Sequence, residues 1–211
     1  MRKVQERMIV FPSGDLTLEG LYHKGQNSPA IVVGAPHPRL GGSMDSPVVA
    51  EIAFGAARDR HPTLRFNYRG VGASQGERLP EGATPEGEVG DFLAAIEELR
   101  STTGIEEIVA AGYSFGAGMA LRAALEDPKV VGAILVAPPT RLLDFTPLRD
   151  LRVQTLVAAG TEDEYVVGLD DLVTGVPAIE VHRIPGANHF FDRGLVPLSR
   201  AINAFMAKLA P

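Results

Sequence analysis

The stretch "GYSFGAG" at 112–118 places glycines two residues before Ser114 and two and four residues after it. A serine hydroxyl is a weak nucleophile at neutral pH. It reacts only where something exposes it, takes its proton and stabilises the oxyanion it makes. The form Gly-x-Ser-x-Gly supplies the exposure when a strand runs into it and a helix leaves it. Here "IEEIVAAGY" (105–113) reads as a strand and "FGAGMALRAALED" (115–127) as a helix. Side chains at 112 and 116 would collide across so sharp a turn, while Ala117 and Gly118 let the helix pack close to the sheet. The plain alternative is a glycine-rich turn with no chemistry.

An exposed serine needs a base, and the base needs a carboxylate to orient it. Of the five histidines, His189 in "PGANHFFD" lies in a loop straight after the last predicted strand. His182 falls inside the strand "AIEVHRI" and is expected to pack. His23 closes a hairpin far from the reactive edge, and His61 opens a strand at the wrong end. His37 is at the right edge but precedes Ser114 in the chain. The expected carboxylate is Asp163, after the strand "TLVAAGTED", with Asp144 in "RLLDFTP" as its competitor. Asp170, Asp171 and Asp192 read as surface charges. The chain order is then serine, acid, histidine.

Two backbone amides must hold the oxyanion. The expected donors are Phe115, which opens the helix, and Arg39 or Leu40 in the loop "GAPHPRLGGSMD". Pro36 and Pro38 stiffen that loop, Gly41 and Gly42 let it approach a ligand, and His37 is expected to orient it by hydrogen bonding.

These residues must be carried to one place by a scaffold. "VQERMIVFPSGDLTLEGLYH" reads as a hairpin turning at Pro-Ser-Gly-Asp. Apolar strand-like runs follow at 29–36, 63–70, 105–113, 130–139, 152–163 and 177–186. Helical patterns lie between and after them at 46–59, 84–102, 115–127, 164–175 and 195–210. Such alternation predicts an α/β fold: a mostly parallel sheet of about eight strands with helices on both faces. Ligands of such sheets sit beyond the carboxyl ends of the strands, where the candidate residues fall.

The bulk properties narrow the function. The chain has 211 residues, a size for one domain spanning 1–211. A net charge of −6 gives no reason to expect a nucleic-acid partner. With no cysteine there is no thiolate zinc site, disulfide or cysteine nucleophile. The N-terminus lacks a continuous apolar run and no stretch suits a membrane span, so a cytoplasmic setting is expected. No histidine and acid set has convincing metal spacing, and neither metal nor organic cofactor is expected.

The pieces "PHPRLGGSMD", "LRFNYRGVGASQGE", "AAGYSFGAG", "GTEDEYV" and "IPGANHFF" together resemble the α/β-hydrolase superfamily, in the expected order and nearly end to end. The chain is most similar to its small lidless bacterial branch, related to dienelactone-hydrolase-like proteins, although true dienelactone hydrolases carry a cysteine where Ser114 stands. The resemblance implies a Ser114–Asp163–His189 hydrolase of esters or related acyl compounds. Arg69 in "NYRGVGASQG" has two readings, a structural ion pair or a contact to a substrate carboxylate.

The segment "PPTRLLDFTPLRD" (138–150) is too short for a cap domain. The site is therefore expected to be open and shallow, edged by His37, Leu40, Met44, Phe115, Leu142, Phe145, Val166 and Phe190. Short or medium acyl esters suit such a pocket, with the chain a monomer or homodimer and no partner beyond the small acyl substrate. Hydrolysis is expected to fall below about pH 6.5, where imidazole takes a proton. A peptidase, thioesterase or acyltransferase using the same residues, or a non-catalytic binding protein of the same fold, are the other readings.

Overall fold

The computed structural model describes residues 5–209; Val4 at the start of the expected hairpin and Ala210 at the end of the expected closing helix lie outside them. Strands β1 (Glu6–Ser13) and β2 (Leu16–His23) form the hairpin. Its loop is Gly14-Asp15, with Gly14 at φ 58°, and Pro12 and Ser13 belong to β1 rather than to the turn. A two-residue loop opening on a left-handed residue matches the twist of the two strands.

Six further strands follow: β3 (Ala30–Gly34), β4 (Thr63–Phe66), β5 (Ile108–Tyr113), β6 (Val130–Val136), β7 (Gln154–Gly160) and β8 (Ile179–Ile184). The sheet order is β1-β2-β4-β3-β5-β6-β7-β8, antiparallel from β1 to β4 and parallel from β4 to β8. The central strands β3, β4 and β5 are buried along their whole length; β3 and β5 are almost wholly apolar, while β4 also buries Arg65. Helices α2 (Glu86–Thr103) and α3 (Phe115–Glu126) cover one face over a core that includes Phe66, Phe92 and Phe115. Helices α1 (Pro47–Arg58) and α5 (Leu195–Leu209) cover the other, over Ile52, Ile134 and Phe205. Between β6 and β7 there is a short 3-10 turn, Thr146–Asp150, and no lid. Among the described residues no helix is long and apolar enough to cross a membrane.

Two expectations need correction. The helix expected over 164–175 shrinks to α4 (Leu169–Val173), because Gly168 sits in the left-handed region and Val166 and Val167 precede it. His182 does not pack inside the sheet. Strand β8 is an edge strand, and the His182 side chain points to solvent.

The "RFNYRG" segment acts as a set of clamps. Asn67 Oδ1 accepts the Met44 amide at 2.7 Å, and Arg65 donates to the Met44 carbonyl. Arg65 is itself held by Glu6 of β1 at 2.8 Å. These bonds fix both backbone polar groups of one residue, Met44, in the loop after β3. Arg69 is structural: its guanidinium makes a bidentate pair with Asp91 of α2, and Asp91 also accepts the Ser13 hydroxyl.

Candidate active site

Ser114 joins β5 directly to α3 with φ 56° and ψ −118°, a strained conformation for a residue bearing a side chain. Its glycine neighbours explain how the turn closes. A Cβ at Gly112 would lie 2.0 Å from the Gly116 carbonyl oxygen, and one at Gly116 would lie 2.3 Å from the Gly34 carbonyl oxygen. Gly118 is under milder pressure: its nearest neighbour would be the Leu143 side chain at 3.4 Å, so it serves packing against the segment after β6 rather than against the sheet.

The structure brings Ser114, His189 and Asp163 together. Ser114 Oγ lies 2.9 Å from His189 Nε2, and His189 Nδ1 lies 3.0 and 2.9 Å from the two Asp163 oxygens. Asp163 is buried and also accepts the Tyr165 amide at 2.9 Å. With Asp163 ionised, Nδ1 is the donor to it, which leaves Nε2 free to accept from the hydroxyl. Asp144 is not part of this set. It accepts from Thr146 within its own turn.

The loops after β7 and β8 are sewn to each other. The amides of Thr161 and Glu162 donate to the carbonyls of Ile184 and Ala187, and the Gly186 amide donates to the Thr161 hydroxyl. Gly160, at the end of β7, makes this possible: a Cβ there would fall 2.0 Å from the Ala187 carbonyl oxygen. Around His189 stand Tyr165, ring centroids 4.7 Å apart, Phe190 at 5.6 Å and Tyr113 at 5.8 Å.

Tyr113, immediately before the serine, donates its hydroxyl to the His189 carbonyl at 2.8 Å. Burial, reinforced by Asp163 and Asp192, pushes its phenol well above the ordinary value, so it remains a donor. Its backbone position was legible in the sequence, but its reach to the His189 loop was not. Tyr113→Phe leaves that buried carbonyl without its donor and should lower unfolding free energy by about 1–2 kcal/mol. Urea denaturation checks this, and an unchanged midpoint would speak against the bond.

The loop after β3 folds around His37. Its carbonyl accepts the amides of Leu40 and Gly42 at 3.0 Å, and its Nδ1 accepts the Arg39 amide at 3.2 Å. Burial first, and then nearby Arg39, lowers the His37 pKa, so the ring is neutral and carries its proton on Nε2. The two candidates for the second oxyanion amide, those of Arg39 and Leu40, are therefore already engaged. Those of Phe115 and His37 make no hydrogen bond among the described residues. The His37 ring packs on Phe115, centroids 4.9 Å apart.

An open cavity of about 770 Å³ lies over the serine. His37, Leu40, Phe115, Leu142 and Phe190 line it as expected, joined by Pro139, Leu143, Tyr113 and Tyr165. Met44, Phe145 and Val166 do not. Met44 and Phe145 are turned into the interior, and Val166 packs against the core. Among the described residues, no three His, Asp or Glu side chains gather as a metal-holding group.

Residues 37–154 match the family described as alpha/beta hydrolase fold. An uncharacterized protein of Rickettsia prowazekii is 30% identical over 94% of this chain and 87% of its own. A serine hydrolase homologue from Coxiella burnetii superposes with a TM-score of 0.84 at 30% identity, covering 94% of this chain and 96% of that one. A Xanthomonas campestris protein, described as a serine hydrolase without lid, superposes at 0.83 with 28% identity, covering 100% and 98%. With the family match covering more than half of the residues and the superposed structures nearly all of them, the chain belongs to the alpha/beta hydrolase fold family.

Proposed function

We propose that the protein is a serine hydrolase of carboxylesterase type, cleaving small or short- to medium-chain acyl esters. The observation that carries this reading is the unbroken hydrogen-bond chain from Ser114 Oγ through His189 to buried Asp163. His189 Nε2 takes the hydroxyl proton as Ser114 Oγ attacks the acyl carbonyl carbon. Asp163 holds the imidazole in the accepting tautomer and stabilises the imidazolium that forms. The amide of Phe115 and that of His37, in place of Arg39 or Leu40, serve the tetrahedral oxyanion; neither has a partner among the described residues. His189 then returns the proton to the leaving alcohol, and a water deacylates Ser114 by the same route. The relatives described as serine hydrolase homologues support the reaction class. The open, lidless cavity supports a substrate of modest size.

Covalent labelling tests the reading. A fluorophosphonate probe should mark the wild-type protein at Ser114, as located by peptide mass analysis, and leave Ser114→Ala unmarked. Wild-type protein that resists the probe, or a Ser114→Ala variant that still takes it, would refute the assignment.

A further inference from the structure

Nine large apolar side chains are exposed among the described residues, and four of them, Leu40, Leu142, Tyr165 and Phe190, line the single cavity over Ser114. They come from separate loops, after β3, after β6, after β7 and after β8, so sequence adjacency does not explain the clustering. Leu40, Leu142 and Phe190 are 81%, 62% and 66% exposed, which is apolar surface left uncovered at a mouth. Such clustering marks a surface that meets an apolar ligand.

The charges of the cavity point in one direction. Asp45 and Asp192 line it, and among the described residues no arginine or lysine does. The nearby guanidiniums are committed elsewhere. Arg39 pairs with Glu81 at 3.3 Å. Arg65 lies 3.8 Å from Asp45 but is held closer by Glu6, at 2.8 Å. One buried cation between two carboxylates leaves a net negative charge there. Arg141 and Arg193 neighbour rim residues in sequence but line no part of the cavity. Among the described residues the Asp192 carboxylate accepts only the neutral side-chain amide of Asn188 and makes no ion pair.

We infer that this site discriminates by substrate charge: it takes neutral esters that lay an apolar group on the Leu40–Leu142–Phe190 rim, tolerates cationic ones, and rejects those bearing a carboxylate or another anion. The inference rests on the hydrolase reading. Two like charges at a partly enclosed mouth raise the energy of an approaching anion and lower that of a cation, and added salt weakens both effects.

The test uses aryl esters differing only in the charge of the acyl tail. The hemisuccinate is compared with its neutral isostere, the 4-methylpentanoate. The 4-(trimethylammonio)butanoate is compared with its neutral isostere, the 5,5-dimethylhexanoate. At low salt the anion should fall about tenfold or more below its isostere in kcat/KM, and the cation should lie much closer to its own. Raising the salt should lift the anion and lower the cation. Because loss of hydration penalises both ions, the ratio of cationic to anionic kcat/KM isolates the carboxylates. That ratio should drop several-fold in the double variant Asp45→Asn, Asp192→Asn. An anion that keeps pace with its isostere, or a ratio indifferent to salt and to the double variant, overturns the inference while leaving the hydrolase intact. Failure of all four esters, with no labelling of Ser114, sinks both.

Discussion

Asp163→Asn is expected to lower kcat by about 10⁴-fold with little change in KM or in folding. Size and burial are nearly conserved, so the effect must come from hydrogens. Asp163 Oδ1 accepts the Tyr165 amide at 2.9 Å and lies 3.0 Å from His189 Nδ1, while Oδ2, 2.9 Å from the same Nδ1, has no other partner among the described residues. An asparagine must keep its carbonyl oxygen toward the Tyr165 amide, because an NH2 group there would oppose another donor. Its amide nitrogen then occupies the site facing Nδ1. That nitrogen can only donate, so Nδ1 becomes an acceptor and the imidazole proton moves to Nε2. There it points at Ser114 Oγ, and the base has become a donor. Steady-state kinetics on a neutral aryl ester would measure the loss, and the rate of fluorophosphonate labelling should fall with it. A drop smaller than about tenfold would mean that Asp163 does not set the tautomer.

The same region shows which features the sequence could reveal. Ser114, Asp163 and His189 were legible because each directly follows a recognisable strand, and a parallel sheet brings all such positions to one edge. Asp163 could be separated from Asp144 for the same reason. The apolar loop residues were not separable: Met44 and Phe145 face inward while Leu40 and Leu142 face outward, and hydrophobicity is equal in both cases. What decides Met44 is Arg65 of β4 and Asn67 just after it gripping its peptide groups. The orientation of His182 depends on β8 lying at the sheet edge, which is a property of strand order and not of the strand's own pattern. The candidates for the second oxyanion amide are taken up by a local detail. His37 folds the loop back on itself and consumes the amides of Arg39 and Leu40. Two prolines and two glycines announce a tight loop, but not which amides it leaves free.

Gly160 carried no such announcement, and its replacement is expected to cost much stability. It lies inside an ordinary apolar strand run, "TLVAAG", without the positive φ that would mark it as a special glycine. Its necessity is purely one of contact. A Cβ would stand 2.0 Å from the Ala187 carbonyl oxygen and 3.1 Å from the Ala187 side chain. Neither neighbour is the free end of a flexible chain, so the backbone after β8 must retreat. That backbone carries His189, and the amides of Thr161 and Glu162 are bonded to it. Gly160→Ala should therefore cost about 3 kcal/mol of unfolding free energy, the upper range for an overpacked interior. Because the retreat moves the base away from Ser114 and Asp163, kcat should fall about 100-fold or more in protein that remains folded. Gly90→Ala is the control. It lies within α2 with nothing inside 4 Å of a new Cβ, and alanine there should stabilise by up to about 1 kcal/mol. Urea unfolding of the two variants should thus move in opposite directions. If Gly160→Ala unfolds at the wild-type midpoint with kcat intact, the loops of Asp163 and His189 are not held together by this close approach.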